Sequence, residues 1–381
     1  MHRPRSALSA AALALASGLA CPAAAQISVG AGETLTEADL NAGSFQGQAF
    51  TLGPGTIFDI DFGGTLGPVG DSTILPTGVP FDFQSSTVRV NNGGVIATGS
   101  VVSNAIVGLF FGGGASNGFA ARAGSQISML GGVVGNFASA LDSTINIVHG
   151  GFGQSFTAGA GADILITGGG IGNGFTAIDG ATVTLSGGVI TDFAEFRSGS
   201  VLTVAGGAVE RELQVVGGAV RLSAGSIGSG FGAFTSATVD VTGGSIGANF
   251  STDSEVTISG GAIEDGFFAL MGSRVNLLVQ DLSLDGVPVS LTPGEALTIT
   301  QRGGALLAAT LADGSFIDFT LNNIPAVGQD FFDISATLTA TLAGTVPAPG
   351  AGSLLVVCCA GGVTRRRRRG AALSIVRGRE E

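Results

Sequence analysis

ATVTLSGGVITDFAEFRSG (181–199) and ATVDVTGGSIGANFSTDS (237–254) share one pattern: two apolar residues with one between them, a Gly-Gly pair, an apolar residue and a phenylalanine. The pattern returns about every 19 residues, and a fixed period of that length is typical of a solenoid or a repeat array. The repeat therefore describes a scaffold, and it carries no signature of a particular reaction.

Two aliphatic ladders run through the repeats, with members two residues apart. A step of two places both side chains on one face of a strand, and the often polar residue between them predicts a half-buried β-strand. The first ladder comprises Ile127, Ile145, Ile164, Val183, Leu202, Val220, Val239, Val256 and Val275. The second comprises Met129, Ile147, Ile166, Leu185, Val204, Leu222, Val241, Ile258 and Leu277.

A glycine corner, a third ladder and an aromatic ladder complete each unit. Glycine tolerates the positive φ that a repeated tight corner demands. The third ladder comprises Ile171, Ile190, Val209, Ile227, Ile246 and Ile263. The aromatic ladder comprises Phe119, Phe137, Phe156, Phe175, Phe193, Leu213, Phe231, Phe250 and Phe268. We expect all its members to be core, so that truncating Phe193 or Phe231 to alanine costs about 3–5 kcal/mol.

These ladders predict an all-β, single-stranded parallel β-helix of about eleven coils of about 18–20 residues, stacked about 4.8 Å apart. The repeats are assigned to residues 86–281 and an N-terminal cap to residues 26–85. Residues 282–346 are expected to form an antiparallel β module and linker, because Asp285-Gly286 and Asp313-Gly314 each read as the turn of a hairpin.

The chain is acidic and poor in reactive side chains. All 16 basic residues are arginine, Trp and Tyr are absent, and residues 26–346 hold 26 acidic residues against 7 arginines. Phosphate binding needs a basic footprint, so this composition disfavours nucleic acid and anionic surfaces as partners.

The first 25 residues predict a secretory signal peptide. A basic start precedes the apolar run Ala7–Ala20, and Ala23-Ala24-Ala25 precedes Gln26, which predicts cleavage between Ala25 and Gln26. Cys21 leaves a lipoprotein alternative open.

The other end carries a second address signal. The apolar stretch Ala351–Val363 is too short to span a bilayer comfortably, because roughly 20 residues are needed, and with its flanking residues it would span only marginally. The arginines after it would hold that end in the cytoplasm. The motif residues are Val346, Pro347, Ala348 and Pro349, and the basic cluster is Arg365, Arg366, Arg367, Arg368 and Arg369.

This tail, residues 346–369, resembles the PEP-CTERM sorting signal of Gram-negative bacteria. The resemblance implies recognition by an exosortase-like enzyme, transient inner-membrane anchoring, cleavage near the motif, and delivery through the periplasm to the cell surface or extracellular matrix. The body also resembles repeat-rich exported proteins with this tail. Two features depart from the pattern: Ala348 replaces the usual Glu, and the extension Gly370–Glu381 follows the arginines.

One charge-dense group is the candidate for chemistry. Parallel β-helices host polysaccharide lyases and hydrolases, and glycoside hydrolysis requires paired carboxylates. Asp192, Glu195, Glu210 and Arg211 are the catalytic candidates. Arg197, Glu212 and Arg221 lie near them in the sequence. The alternative interpretation is a patch of surface ion pairs, each of which contributes little.

The sequence predicts no cofactor and no metal site. His149 is the one histidine after the predicted signal peptide. We therefore expect an exported, non-catalytic structural or adhesive protein whose partners are the secretion machinery, an exosortase-like enzyme and exopolysaccharide or surface glycans. A polysaccharide lyase or hydrolase and a non-catalytic glycan-binding module are the alternatives.

Overall fold

A computed structural model describes residues 26–29, 34–35, 44–46, 48–49, 57–60, 65–66, 87–96, 98–326 and 328–343. The predicted signal peptide, the sorting tail and the extension lie outside these described residues. Within them every regular element is a strand. No helix among them is long and apolar enough to cross a membrane.

The strands are numbered in chain order. They are β1 (Gln26–Val29), β2 (Thr34–Leu35), β3 (Ser44–Phe45), β4 (Gln48–Ala49), β5 (Ile57–Ile60), β6 (Thr65–Leu66), β7 (Thr87–Val90), β8 (Val95–Ile96), β9 (Val101–Ser103), β10 (Ile106–Leu109), β11 (Gly114–Ala115), β12 (Ala120–Arg122), β13 (Gln126–Val134), β14 (Ser139–Ala140), β15 (Thr144–Phe152), β16 (Thr157–Ala158), β17 (Asp163–Ile166), β18 (Gly170–Ile171), β19 (Thr176–Ala177) and β20 (Thr182–Leu185). They continue as β21 (Val189–Ile190), β22 (Glu195–Arg197), β23 (Val201–Val209), β24 (Gln214–Val216), β25 (Ala219–Ile227), β26 (Gly232–Phe234), β27 (Thr238–Ile246), β28 (Ser251–Thr252), β29 (Glu255–Ile263), β30 (Phe268–Ala269), β31 (Arg274–Leu284), β32 (Val287–Pro288), β33 (Ala296–Ile299), β34 (Ala305–Leu311), β35 (Phe316–Leu321), β36 (Phe331–Phe332) and β37 (Thr337–Leu342).

Each coil contributes to two sheets, and the stacking is parallel. In one coil β20 and β21 belong to the larger sheet, and β22 belongs to the smaller one. Val183 of β20 pairs with Ile164 in one neighbouring coil and with Leu202 in the other. This in-register stacking confirms the predicted parallel β-helix.

The parallel ladder extends into the residues assigned to the N-terminal cap. Ile27 of β1 pairs with Phe58 of β5, and Phe58 pairs with Val88 of β7. The intervals between these three positions are longer than those of the later coils, because long connections separate the strands. These coils therefore depart from the regular period, and the repeat pattern in the sequence does not reveal them.

The aliphatic ladders form the core as predicted. Every member of the first two ladders is buried, and so is the third except Ile263, which is partly buried against the core. The alternating positions between the first two ladders face outward.

The aromatic ladder is wrong at three positions. Phe137 and Phe193 are 67% and 61% exposed, and Phe268 is half-buried. Phe119, Phe156, Phe175, Leu213, Phe231 and Phe250 are buried as predicted.

The reason is a shift of one residue between the turn and the core. Thr176 pairs with Glu195, so Ala194 rather than Phe193 lies level with buried Phe175. Phe196 then packs against Phe175, with ring centroids 5.6 Å apart. By the same register Ala138, not Phe137, lies level with Phe156, and Phe267, not Phe268, with Phe250.

The glycine corner has a steric cause as well as a conformational one. Gly244 has φ +77°, and a Cβ there would lie 2.7 Å from the carbonyl oxygen of Gly225 in the adjacent coil. Equivalent glycines stack along the corner because each coil leaves no room for a side chain on the next.

The last described segment combines hairpins with one more parallel layer. The predicted turns at Asp285-Gly286 and Asp313-Gly314 join the antiparallel pairs β31–β32 and β34–β35. β37 returns to pair in parallel with β31, and β33 pairs antiparallel with β37. The expected antiparallel module therefore also holds a parallel layer.

One charged side chain, Asp330, ties this segment to the last coils, and another, Arg302, bonds within the segment. Asp330 accepts backbone N–H groups from Gly266 (3.1 Å), Phe267 (2.9 Å) and Thr320 (3.0 Å). Arg302 donates to the carbonyl oxygens of Ile299, Gln301 and Ala336 and lies 5.9 Å from the Phe332 ring centroid. Burial raises the pKa of Asp330, against the lowering effect of its three amide donors.

Candidate functional site

The charge-dense group lies at one corner of the solenoid and on strand β22 of the adjoining smaller sheet. Asp192 and Glu195 belong to one coil, and Glu210 and Arg211 belong to the next. We call Asp192, Glu195, Arg197, Glu210, Arg211 and Glu212 the charged corner.

Asp192 and Arg211 form a tight pair across two coils. The Nη2 of Arg211 lies 2.6 Å from Asp192 Oδ2, and its backbone N–H donates to Asp192 Oδ1 at 3.0 Å. Hydrogen bonds from the Arg211 side chain and backbone hold the pKa of Asp192 below its ordinary value, and the same contact raises the pKa of Arg211. Both oxygens of Asp192 are therefore engaged.

Asp192 occupies a position that asparagine fills in other coils. The backbone N–H of Asn136 donates to Asn117 Oδ1, and that of Gln154 donates to Asn136 Oδ1, both at 2.8 Å. The bond from the Arg211 backbone to Asp192 repeats this geometry. Asp192 thus links its coil to the next through a hydrogen bond from a backbone N–H to its side chain, as the asparagines do.

Glu195 pairs with a neighbour on its own strand. The Nε of Arg197 lies 2.8 Å from Glu195 Oε1, and both side chains are partly exposed on β22. The hydrogen bond to Glu195 raises the pKa of Arg197. This is a surface ion pair within one strand, and pairs of this kind contribute little to stability.

The remaining charges form no ion pair with these side chains among the described residues, although Glu210 and Glu212 help to raise the pKa of Arg211. Glu210 and Glu212 are exposed, and the Glu212 carboxylate lies over Gly230 of the following coil. Arg221 stands on β25 of the larger sheet, level with Thr203 and Asp240, whereas Glu195 stands on the smaller sheet. His149 is exposed next to the glycine corner.

This arrangement suits ion pairing better than acid catalysis. A glycosidase needs a carboxylic acid whose pKa is raised so that it can protonate the leaving group. The pKa of Asp192 moves the other way, because Arg211 stabilises the carboxylate. Within the described ranges no group of three or more His, Cys, Asp or Glu could hold a metal ion.

The same corner carries two residues that the sequence analysis placed elsewhere. Phe137 and Phe193 occupy equivalent turn positions, with φ +59° and +61°, and present exposed rings. The residue that follows each one is a buried alanine. In most other coils a small or polar residue precedes the phenylalanine. The reversed order, phenylalanine followed by alanine, is the feature of the sequence that indicates an exposed ring at these two positions.

Comparison with known proteins identifies no family. No family model matches the chain, and no curated protein matches it. Among solved structures, a fragment of TibA, residues 55–350 of that protein, whose hyper-glycosylation was catalysed by TibC, matches with a TM-score of 0.41 and 17% identity. The match covers 67% of this chain and 85% of the fragment.

Proposed function

We propose that this chain is an exported structural or adhesive protein of the cell surface or extracellular matrix. The observation that carries the proposal is the continuous parallel ladder from β1 to β37, in which inward positions build the core and corner positions join one coil to the next. Such a stack is a scaffold whose outward columns repeat at fixed spacing.

The charged corner supports a structural role over a catalytic one. Asp192 and Arg211 are used for stacking, and Glu195 and Arg197 satisfy each other. A lyase or hydrolase would require free carboxylates arranged around a substrate, and none of these contacts favours that alternative.

Export and sorting are the second half of the proposal. The signal peptide, the Pro-Ala-Pro tail and the arginine cluster would take the chain through the inner membrane to an exosortase-like enzyme. The acidic body agrees with an exposed, soluble surface outside the cell.

The test is the intact mass and cellular fraction of the protein in an exosortase-positive host, with an N-terminal tag after Gln26. We expect loss of the residues after about Val346 (the end of the described scaffold plus a short linker) and release or surface display. An uncut chain in the inner membrane would contradict sorting. A control with Arg365–Arg369 replaced by serines should accumulate uncut.

A further inference from the structure

Four equivalent corner positions in successive coils form a shelf with an aromatic ring at each end. They are Phe137, Ser155, Gly174 and Phe193, and each donates its backbone N–H to a carbonyl oxygen of the following coil. We call these four residues the aromatic shelf. Its two rings lie three coils apart, about 14 Å at about 4.8 Å per coil.

The two phenylalanines lie at positions where the backbone conformation is strained for their side chains. Both have positive φ, +59° and +61°, a conformation that is an outlier for a bulky side chain. Other coils place Ser155, Gly174, Glu212, Gly230 or Asn249 at this position, and none of these side chains is as bulky and apolar as phenylalanine. The rings are also mostly exposed, and Ala138 and Ala194 fill the core beside them. Neither ring enters the core, and strain of this kind concentrates at functional sites.

The floor between the rings is open. A Cβ on Gly174 would meet only Ser155, at 3.8 Å from Oγ and 4.0 Å from N, so neither ring comes within 4 Å of that position. The exposed amides of Gln154 and Asn173 border the shelf, and Thr191 donates its hydroxyl to Asn173 Oδ1 at 2.6 Å. The shelf therefore combines two apolar plates with polar groups along one edge.

We propose that the aromatic shelf binds an uncharged polysaccharide that lies along the axis of the stack. A sugar ring presents an apolar C–H face that packs on an aromatic ring, while its hydroxyls bond to amides and hydroxyls such as those of Gln154, Asn173 and Ser155. Ligand sites commonly combine aromatic walls with a few polar groups in this way. An extended hexose chain repeats at a distance close to the coil spacing, so successive sugars meet successive coils.

The charges select among glycans. Glu210 and Glu212 are exposed beside Phe193, and Arg211 is committed to Asp192. A uronate polymer would meet this acidic surface unfavourably, whereas a neutral polymer carries no such penalty. The proposal gives a ligand class to the adhesive role proposed above, and it rests on that role only for its extracellular setting.

The test is affinity electrophoresis of the purified full-length chain through gels that contain hydroxyethylcellulose, dextran or galactomannan, with alginate as the charged comparison. We expect at least one neutral polymer to retard the wild type. Phe137→Ala and Phe193→Ala should each weaken binding about tenfold, and the double variant should migrate as it does in an empty gel. Because the chain has no tryptophan, Phe193→Trp would also supply a single fluorescent reporter on the shelf, and its emission should change with the polymer that retards the wild type.

A matched control is Phe316→Ala, which removes a ring of similar exposure, 64%, on the C-terminal hairpin and should bind as the wild type does. The proposal is overturned if no neutral polymer retards the wild type, if the shelf variants bind normally, or if only alginate retards the chain. It is also overturned if the shelf variants bind glycans normally and instead lose self-association in sedimentation velocity, which would assign the rings to a second copy. Failure here leaves the sorting test unaffected, because binding is measured on purified protein.

Discussion

Replacing Phe193 and Phe231 separately by alanine distinguishes the two environments that one sequence ladder contains. Phe231 has no exposed surface and stacks on Phe250, with ring centroids 4.4 Å apart and planes 9° from parallel. Truncating a buried phenylalanine removes its apolar burial and leaves a cavity, which costs about 3–5 kcal/mol. We therefore expect Phe231→Ala to lower the free energy of unfolding by that amount.

Phe193→Ala should behave differently, because 61% of this side chain already faces water. Surface substitutions usually change stability by about 0.5 kcal/mol or less. Phe193→Gly should even raise stability, by about 1 kcal/mol, since φ +61° strains an L-residue but not glycine.

The assay is urea unfolding followed by far-ultraviolet circular dichroism, because the chain has no tryptophan for fluorescence. A midpoint that falls for Phe231→Ala at unchanged slope reports lost stability rather than altered compactness. Equal losses for Phe193→Ala and Phe231→Ala would refute the register that places Ala194 in the core. Near-wild-type behaviour of Phe231→Ala would refute the core itself.

Three further substitutions test the corner and the C-terminal closure by the same unfolding measurement. Gly244→Ala should lower the free energy of unfolding more than Gly180→Ala does. Both glycines have positive φ, which costs an L-residue about 1–2 kcal/mol, but only the Cβ at Gly244 meets a neighbouring carbonyl. Equal losses of stability would contradict the steric argument. Asp192→Asn should be slightly less stable than the wild type at neutral pH, because the amide still accepts the backbone bond but carries no charge to pair with Arg211. The pKa of Asp192 is lowered in the folded state, so its contribution is full above the ordinary value of 3.8 and is lost as pH falls below it; the wild type should therefore lose more stability than Asp192→Asn between pH 6 and pH 3, and identical acid profiles would contradict the pair. Asp330→Ala should cost about 3 kcal/mol, since bonds to a charged acceptor contribute about 1.5–3 kcal/mol each and water replaces part of the three. Hydrogen exchange should show faster opening of β36 and β37, whereas the exposed Asp318→Ala should leave both unchanged. Equal protection in the two variants would mean that the Asp330 hydrogen bonds do not hold this segment in place.

The fold was largely predictable because two periods coincide in this sequence. Alternation within a strand identified the inward positions, and the longer repeat aligned them into ladders that the structure buries from Ile127 to Leu277. Both signals come from local physics, the pleat of a strand and the corner of a coil.

The errors come from positions where that physics was ambiguous by one residue. Phe193 and Ala194 straddle the boundary between a turn and a strand, and a shift of one residue moves a side chain from the core to the solvent. Thr176 and Glu195 are equivalent strand residues of neighbouring coils, and that equivalence places Ala194 in the core. The coils at Ile27 and Phe58 were not predicted because the long connections between their strands break the regular period.

The candidate site was predictable in location but not in role. The sequence brought Asp192 and Arg211 together in adjacent coils, and the structure pairs them. It did not show that Asp192 fills an asparagine position, although the spacing from Asn173 contains that information. Asp330 and Arg302 were missed because they act on backbone groups distant in sequence.

The parallel ladder makes length an adjustable property of this molecule. Because each coil contacts its two neighbours through the same register, one whole unit can be added or removed and every outward column keeps its direction. Each unit changes the length of the stack of coils by about 4.8 Å. A single-residue insertion within a strand would instead turn the side chains that follow it in that strand to the opposite face. The length of such a protein can therefore change only in steps of one whole coil, and the distance between Phe137 and Phe193 is set by the number of coils between them.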